Sequence, residues 1–285
     1  MKSVQVFDQP DVVIPAEAVV GEGPVFDQRT GRLCWVDITE GWIHESDLAA
    51  GRTESVHLDT IVGAVAPRES EPGFAVAVSD GFGFVVGSDL TISDPVLADP
   101  HRRMNDAKCD SAGRLWAGST HLEFVPGAGA LHRWDGSSRS VELASGFTLP
   151  NGLGWSPDDR TMYLVDSFAG LLLQADYEPD EGLVGDFGSL CTIAPGLPDG
   201  LTVAADGTIW VAVWEGTEVR RFSPDGQLIG IVPMPVSRVT SCAFGADGTL
   251  YITTARFNLT DEPLAGSVFA LATNAAGVPV SPFRG

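Results

Sequence analysis

Short apolar runs separated by small polar turns recur along the whole chain. A polar turn, often containing Asp-Gly, is followed by a short apolar run in six copies: QRTGRLCWVD (28–37), SEPGFAVAV (70–78), SAGRLWAGS (111–119), PDDRTMYLVD (157–166), ADGTIWVAV (205–213) and ADGTLYITT (246–254). The runs are rich in Val, Ile, Trp, Tyr and Phe, and two such runs joined by a polar turn indicate a β-hairpin. No segment holds a helical period over three turns. The pattern therefore predicts an all-β protein.

The copies recur at a nearly constant spacing. Aligning them places one residue of each turn at an equivalent position, and these positions are 40 to 47 residues apart: Gly31, Gly73, Gly113, Arg160, Gly207 and Gly248. A propeller blade of four strands takes about 40–50 residues. We therefore predict one domain, residues 1–285, folded as a six-bladed β-propeller. A β-sandwich is the alternative, but it has no reason to repeat six times.

Polar residues lie eight or nine positions before most of the aligned turn residues, where each blade's innermost strand begins: Glu22, Asn105, Asn151, Asp199 and Thr240, with Ala64 and Val65 in the second copy. Equivalent positions on successive blades form a ring around the channel. Inward-facing polar groups cost free energy unless they are satisfied. A divalent cation would satisfy them, and oxygen ligands suit calcium, manganese or magnesium, with zinc or iron(II) also possible.

Three of these candidate ligands have an alternative interpretation. Asn151-Gly152 and Asp199-Gly200 are common turn dipeptides, and each could mark an ordinary turn. Glu22 by itself could be a solvated loop residue. Their equivalence across repeats favours shared metal ligation.

The charge balance excludes several partners. Seventeen basic and 38 acidic residues give a net charge of −21, which argues against nucleic acid and anionic membranes. No apolar run approaches the roughly twenty residues of a membrane span, and the first residues lack the apolar core of a signal peptide. We expect a cytoplasmic protein. A monomer is expected because a closed propeller has little exposed strand edge.

Several other residues are expected to be structural. Four cysteines form no C-x-x-C pair, so Cys34 and Cys109 are predicted to be reduced core residues. Five aromatic residues are predicted to pack between blades: Trp35, Trp116, Trp155, Trp210 and Tyr163. Asp37 and Asp166 occupy equivalent strand ends and are expected to bind backbone at the rim opposite the polar ring.

Four motifs together resemble one known family, the senescence marker protein/gluconolactonase (regucalcin-like) propellers. They are GEGPVFD (21–27), RMNDAKCDSAGRLWAGS (103–119), LPNGLGWSPDDRTMYLVDS (149–167) and LPDGLTVAADGTIWVA (197–212). The resemblance extends from about Glu17 to Ala272. It implies a six-bladed propeller with one divalent metal in the central channel, held by Glu22, Asn151 and Asp199.

The resemblance also implies a substrate-binding wall. Arg103 and Asn105 match the family's Arg-x-Asn element, which would bind sugar hydroxyls, and Glu123 matches a Glu that follows the Trp-Ala-Gly strand. The segment STHLEFVPGAGALHRW (119–134) departs from the family pattern. It carries His121 and lacks the more usual acidic or Gly-rich lid. Substrate size and preference are therefore open.

The implied reaction is hydrolysis of a sugar lactone, an aldono-1,4- or 1,5-lactone, to the aldonic acid. The cofactor, one divalent cation (calcium, zinc, manganese or iron(II)), would polarise the carbonyl. Asp199 is the candidate general base, and a hydroxide on the metal is the alternative. Two other functions stay open: an organophosphate-hydrolysing propeller like the fluorophosphatases, and a non-catalytic calcium-binding propeller.

Overall fold

The computed structural model describes residues 4–97 and 99–285, and within these residues all regular structure is β. Two N-terminal strands are β1 (Gln5–Val6) and β2 (Asp11–Ile14). Blade 1 contains β3 (Gly21–Asp27), β4 (Arg32–Asp37), β5 (Trp42–Asp47) and β6 (Arg52–His57). Blade 2 contains β7 (Val62–Pro67), β8 (Phe74–Val78), β9 (Gly81–Val86) and β10 (Asp89–Asp94). Blade 3 contains β11 (Arg102–Cys109), β12 (Leu115–His121), β13 (Gly129–Trp134) and β14 (Val141–Phe147).

The remaining three blades follow the same order. Blade 4 contains β15 (Pro150–Trp155), β16 (Thr161–Asp166), β17 (Leu171–Glu178), β18 (Leu183–Val184) and β19 (Gly188–Thr192). Blade 5 contains β20 (Leu197–Val203), β21 (Ile209–Trp214), β22 (Glu218–Phe222) and β23 (Leu228–Pro233). Blade 6 contains β24 (Val239–Phe244), β25 (Thr249–Thr254) and β26 (Val268–Ala272). The described residues contain no helix that could span a membrane.

The six sheets form a closed ring. The first strand of each blade is innermost and packs against the first strands of both neighbouring blades. Strand β2 pairs antiparallel with β26, so the start of the chain completes the last blade, and β1 pairs parallel with β23 at the edge of blade 5. This arrangement confirms the predicted six-bladed propeller. Each innermost strand begins at what we call the entry end and finishes at the turn end.

The core is divided among the junctions between blades. A cluster of buried hydrophobic residues lies at each of the six junctions in the described structure. The five aromatic residues predicted for these junctions are buried, from Trp116 and Trp210 with no exposed surface to Trp155 at 7 %. Cys34 and Cys109 are buried as well. Most of the ring's apolar burial therefore joins neighbouring blades.

The first hairpin turn of each blade lies at the turn end. Five of the six aligned turn residues are glycines with positive φ, such as Gly207 at 82° and Gly248 at 83°. Blade 4 differs from the sequence alignment. Its turn is one residue longer than those of blades 3, 5 and 6, and the left-handed residue is Asp159, with φ 58°, and not Arg160. Asp tolerates this conformation better than most residues.

The end of the chain crosses the turn end of the ring. The N–H of Val278 donates to the carbonyl of Val203 in blade 5 (3.0 Å), and the N–H of Phe283 donates to Pro67 in blade 2 (2.8 Å). The Phe283 ring is 1 % exposed and stacks on Trp134, with ring centroids 5.0 Å apart. Residues 275–285, which we call the C-terminal tail, thus tie together blades on opposite sides of the channel.

Candidate active site

A β-bulge interrupts each innermost strand near the entry end. The pairing with the second strand shifts between Glu22 and Val25, between Met104 and Ala107, and at matching places in the other four blades. Bulges re-aim side chains and are common beside active sites. Here they direct four of the predicted polar residues into one cavity of about 320 Å³: Glu22, Asn105, Asn151 and Asp199.

The glycines that follow two of these residues serve close packing. Asn151-Gly152 lies within β15 and Asp199-Gly200 within β20, so neither dipeptide forms a turn. A Cβ on Gly152 would lie 2.4 Å from the backbone nitrogen of Leu201, and one on Gly200 would lie 2.0 Å from Ser241 Oγ. Glycine is needed because adjacent innermost strands converge at the axis. The turn interpretation of both dipeptides is therefore wrong.

Glu22, Asn151 and Asp199 form the centre of the cavity floor and are 4 %, 5 % and 8 % exposed. The amide nitrogen of Asn151 donates to Asp199 Oδ1 and to Ser167 Oγ (3.1 Å). The N–H of Gly23 donates to Glu22 Oε2 (2.7 Å). The pKa of Glu22 is raised well above its usual value, mainly by burial and secondly by the charge of the Asp199 carboxylate. Burial also raises the pKa of Asp199.

A third buried carboxylate, Asp106, is absent from the sequence prediction. It shares the bulge of β11 with Asn105, is 5 % exposed, and accepts a hydrogen bond from its neighbour Ala107 (2.8 Å). Its charge adds to the raised pKa of both Glu22 and Asp199. The pKa of Asp106 is itself raised by burial, and the nearby Lys108 opposes that rise. The only signal in the sequence was its position next to a ring residue.

Arg103 and Asn105 form a hydrogen-bonded pair at the side of the cavity floor. Arg103 Nη1 donates to Asn105 Oδ1 (2.7 Å) and to the Met104 carbonyl (3.0 Å), while Asn105 Nδ2 donates to the Pro150 carbonyl (3.2 Å). Burial lowers the pKa of Arg103 to about 10, and the Glu22 and Asp199 carboxylates oppose this shift. Arg103 is therefore a fixed cation at neutral pH, next to the carboxylates.

Two other residues singled out from the sequence lie elsewhere. Glu123 is exposed, and its neighbour Phe124 lines the cavity in its place. The Glu123 N–H bonds to His121 Nδ1 (3.1 Å), and its contact with substrate stays a prediction. Thr240 is fully buried, and its hydroxyl donates to the Gly21 carbonyl (2.5 Å), so it joins blade 6 to blade 1.

Asp37 and Asp166 bind backbone, as expected, but at the entry end. The Asp37 carboxylate accepts the N–H groups of Val19 (2.8 Å) and Val20 (2.9 Å), just before Glu22. Asp166 accepts two N–H groups at 3.0 Å from the residues just before Pro150 and Asn151. The predicted opposite rim is wrong, because the second strand of a hairpin ends where the first one begins. Both aspartates hold the chain where it enters a site strand.

The donor set of the floor fits a divalent cation. Two buried carboxylates, Glu22 and Asp199, lie close enough to share a hydrogen bond, an arrangement that is unfavourable when both are charged. A carboxamide, Asn151, lies against them. All three offer oxygen, the donor that hard cations prefer. Within the described residues, no group of three His, Cys, Asp or Glu side chains is arranged to hold a metal.

Comparison with known proteins places the chain in one family. Residues 20–256 match the model of the SMP-30/gluconolactonase/LRE-like region. The chain is 33 % identical to the 6-deoxy-6-sulfogluconolactonase of Pseudomonas putida (96 % of this chain, 98 % of the relative). It is 33 % identical to the pentonolactonase of Haloferax volcanii (85 % of this chain, 84 % of the relative). The crystal structure of a calcium-binding protein, regucalcin, from Agrobacterium tumefaciens superposes with a TM-score of 0.93 at 29 % identity, covering 99 % of this chain and 100 % of that one.

The matched region includes the polar ring, the bulged strands and five complete blades. The chain belongs to the SMP-30/gluconolactonase/LRE-like family.

Proposed function

We propose that this protein hydrolyses a sugar lactone, an aldono-1,4- or 1,5-lactone, to the aldonic acid, with a divalent cation held by Glu22, Asn151 and Asp199. The observation that carries the proposal is the buried pair of carboxylates at the floor of a cavity of about 320 Å³, next to Arg103. Relatives that are 33 % identical over most of the chain are named lactonases. The similarity to a calcium-binding regucalcin supports the cation.

In this mechanism, a bound cation would act as a Lewis acid on the lactone carbonyl oxygen. The Asp199 carboxylate takes a proton from water as the water oxygen attacks the carbonyl carbon. The ring C–O bond then breaks, and the proton passes to the ring oxygen, which becomes a hydroxyl group. The Asn151 amide donates to Asp199 and fixes the orientation of its carboxylate. General-base catalysis of this kind contributes roughly 10²- to 10⁴-fold.

Arg103 orients the lactone. Its guanidinium is held by Asn105 and by backbone, and it retains donors that can bind ring hydroxyls. We expect Arg103→Ala to raise KM for a polyhydroxylated lactone about tenfold, with a smaller change in kcat. Steady-state kinetics on glucono-1,5-lactone and on a hydroxyl-free lactone would measure this. An equal loss on both substrates would contradict a role in binding hydroxyl groups.

The proposed activity is tested by acid release from a panel of five- and six-membered aldonolactones. Chelated protein is compared with protein reconstituted with calcium, manganese, zinc or iron(II), after subtracting spontaneous hydrolysis. Turnover that the metal restores on at least one lactone is expected. Absence of turnover on every lactone, with metal bound, would refute the proposal.

Organophosphate hydrolysis is the second candidate, and the cavity walls favour it. Apolar side chains such as Leu149, Leu197 and Ile38 surround the polar floor, as a phosphotriester with apolar substituents would require. Including a fluorophosphate ester in the same panel separates the two reactions. Metal-dependent fluoride release without lactone hydrolysis would favour this candidate.

A further inference from the structure

Ser167 is a polar residue of the cavity that the proposed mechanism does not use. It follows β16 directly, is 3 % exposed, and lines the cavity together with the apolar residues Leu149 and Phe168. Its hydroxyl oxygen accepts a hydrogen bond from the Asn151 amide nitrogen (3.1 Å). The hydroxyl therefore lies beside the proposed cation site, at the base of an apolar wall.

Asp199 sets the direction of this hydrogen bond. The Asn151 amide nitrogen also donates to Asp199 Oδ1, so the nitrogen and not the oxygen of the amide faces both partners. Ser167 can therefore only accept from Asn151, and its own proton is free to be donated. Within the described residues, the Ser167 hydroxyl makes no hydrogen bond as a donor. A buried donor without an acceptor costs free energy, so this proton indicates an acceptor on the ligand.

The fold itself does not require a hydroxyl at this position. In three blades the residue after the second strand donates its N–H to the carbonyl of the residue just before the first strand. This residue is Ser167 in blade 4, Ile38 in blade 1 and Ala255 in blade 6. Ile38 and Ala255 have no side-chain hydrogen-bonding group, so an apolar residue suits the same backbone. The serine in blade 4 is therefore better explained by the ligand than by the blade.

We infer that Ser167 is a specificity-determining residue whose hydroxyl donates to the hydroxyl group on C2 of the lactone, the carbon next to the carbonyl. This inference rests on the proposed function, in which Arg103 binds ring hydroxyls and Asn151 helps to hold the cation at the carbonyl oxygen. Ser167 is hydrogen-bonded to Asn151. The C2 hydroxyl is the ring hydroxyl nearest the carbonyl, so it is the one within reach of Ser167.

The consequence is a preference for aldonolactones with a free 2-hydroxyl. A site that donates a hydrogen bond to a substrate hydroxyl rejects the analogue that lacks it, because the buried donor is then left without an acceptor. The neighbouring side chains of Leu149 and Phe168 strengthen this selection, since neither can accept the proton in place of the substrate.

The test compares the aldonolactone that the wild type hydrolyses fastest with its 2-deoxy and 3-deoxy analogues. We expect the wild-type kcat/KM to fall about tenfold when the 2-hydroxyl is removed, as for the loss of one hydrogen bond. Ser167→Ala should lose about tenfold on the parent and on the 3-deoxy lactone, and less than about twofold on the 2-deoxy lactone. Alanine suits the fold at this position, as Ala255 does in blade 6.

The matched control is Ser138→Ala, because Ser138 is exposed and lies outside the cavity lining. It should leave kcat/KM as in the wild type on all three lactones.

Two results would overturn the inference. One is a 2-deoxy lactone that the wild type hydrolyses as well as the parent. The other is a loss in Ser167→Ala that is equal on the parent and on the 2-deoxy lactone, since the hydroxyl would then act only through Asn151.

A binding measurement separates failure of this inference from failure of the proposed function. Lactams of the same sugars resist hydrolysis, and calorimetry on protein loaded with calcium or manganese measures their affinity without turnover. If no lactone is hydrolysed, the proposed function fails. A lactam affinity that falls about tenfold without the 2-hydroxyl in the wild type, and not in Ser167→Ala, would still support the hydrogen bond. Equal wild-type affinity for both lactams, or no binding of either, would overturn it.

Discussion

Opposed charges dominate the site at the scale of single residues. Glu22, Asp106 and Asp199 are buried carboxylates near the channel axis, and Arg103 and Lys108 are the cations close to them. Lys108 Nζ donates to the Leu201 carbonyl (2.7 Å), which fixes its position below the floor. Burial raises the pKa of both Glu22 and Asp199, and a nearby carboxylate adds to the rise in each case, Asp199 for Glu22 and Asp106 for Asp199. A cation between Glu22 and Asp199 would favour their charged forms.

Asp199→Asn tests the proposed base while nearly preserving the shape of the side chain. We expect at least a 100-fold loss of kcat on any lactone that the wild type hydrolyses, because an amide cannot accept a proton from water. Metal content and the thermal midpoint should be followed in parallel. Asp225→Asn, an exposed turn residue, is the matched control. Activity close to wild type in Asp199→Asn would exclude Asp199 as the base.

His132 lies outside the candidate site, and we expect it to make the stability of the fold depend on pH. The side chain is 2 % exposed, Nε2 bonds to Ser119 Oγ (2.9 Å), and Nδ1 is buried without a partner among the described residues. Burial, together with the charge of Arg102, lowers the pKa of His132 to about 4 from 6.5. The folded state therefore favours the neutral ring. This stabilisation is complete above pH 6.5 and is lost as the pH falls toward 4.

The expected loss of unfolding free energy from this histidine between pH 7 and pH 4 is roughly 2–3 kcal/mol. Denaturant unfolding at a series of pH values would measure it. His132→Gln should flatten the pH dependence by that amount. His101→Gln, at an exposed position, should leave the dependence as in the wild type. Parallel pH profiles for wild type and His132→Gln would contradict the prediction.

At the scale of elements, the bulge in each innermost strand is the main feature that directs side chains toward the channel axis. In a regular strand, neighbouring side chains point to opposite faces. The bulge in β11 contains both Asn105 and Asp106 and places both near the axis. The repeat alignment identified Asn105 because its position in blade 3 is equivalent to the ring positions of the other blades. Asp106 could not be found that way, because its place near the axis depends on the local break in alternation.

Asp166, at the end of β16, is expected to support both the stability of the fold and the binding of a cation at the candidate site. Asp166→Ala removes the acceptor of two backbone N–H groups just before β15. Each such hydrogen bond to a charged group is worth roughly 1.5–3 kcal/mol, and the two are not independent. We expect unfolding free energy to fall by about 3 kcal/mol, with weaker divalent-cation binding because Asn151 loses its support. Chemical denaturation and calorimetric titration with calcium or manganese would measure both.

Asp186→Ala, exposed in the same blade, is the control for this variant. A stability and a cation affinity in Asp166→Ala equal to those of the control would show that the carboxylate does not hold the strand.

At the scale of the whole molecule, both ends of the chain stabilise the ring. Strand β2 completes blade 6, and the C-terminal tail joins blade 5 to blade 2 across the turn end. A smaller cavity, of about 140 Å³, lies under this tail and is lined by Val278 and Val280. The tail therefore covers part of the face opposite the candidate site.

Phe283→Ala tests how much the tail contributes. The ring is buried among Trp134, Phe84 and their neighbours, so its removal should cost roughly 3–4 kcal/mol of unfolding free energy. Denaturant unfolding would measure the loss. Leu183→Ala, at an exposed position, should change stability by less than about 0.5 kcal/mol. A Phe283→Ala protein as stable as that control would show that the tail is dispensable for the ring.

The sequence by itself determined the six blades, the aromatic residues between them and the polar ring at the axis. These features follow from local hairpin chemistry and from its repetition, which place equivalent residues at equivalent positions. Only the tertiary structure decided the rest: the place of Asp106, the entry-end role of Asp37 and Asp166, Phe124 in place of Glu123 at the cavity, and the path of the tail. Each of these depends on a bulge, a loop conformation or a contact between distant segments, and such features leave no periodic pattern in the chain.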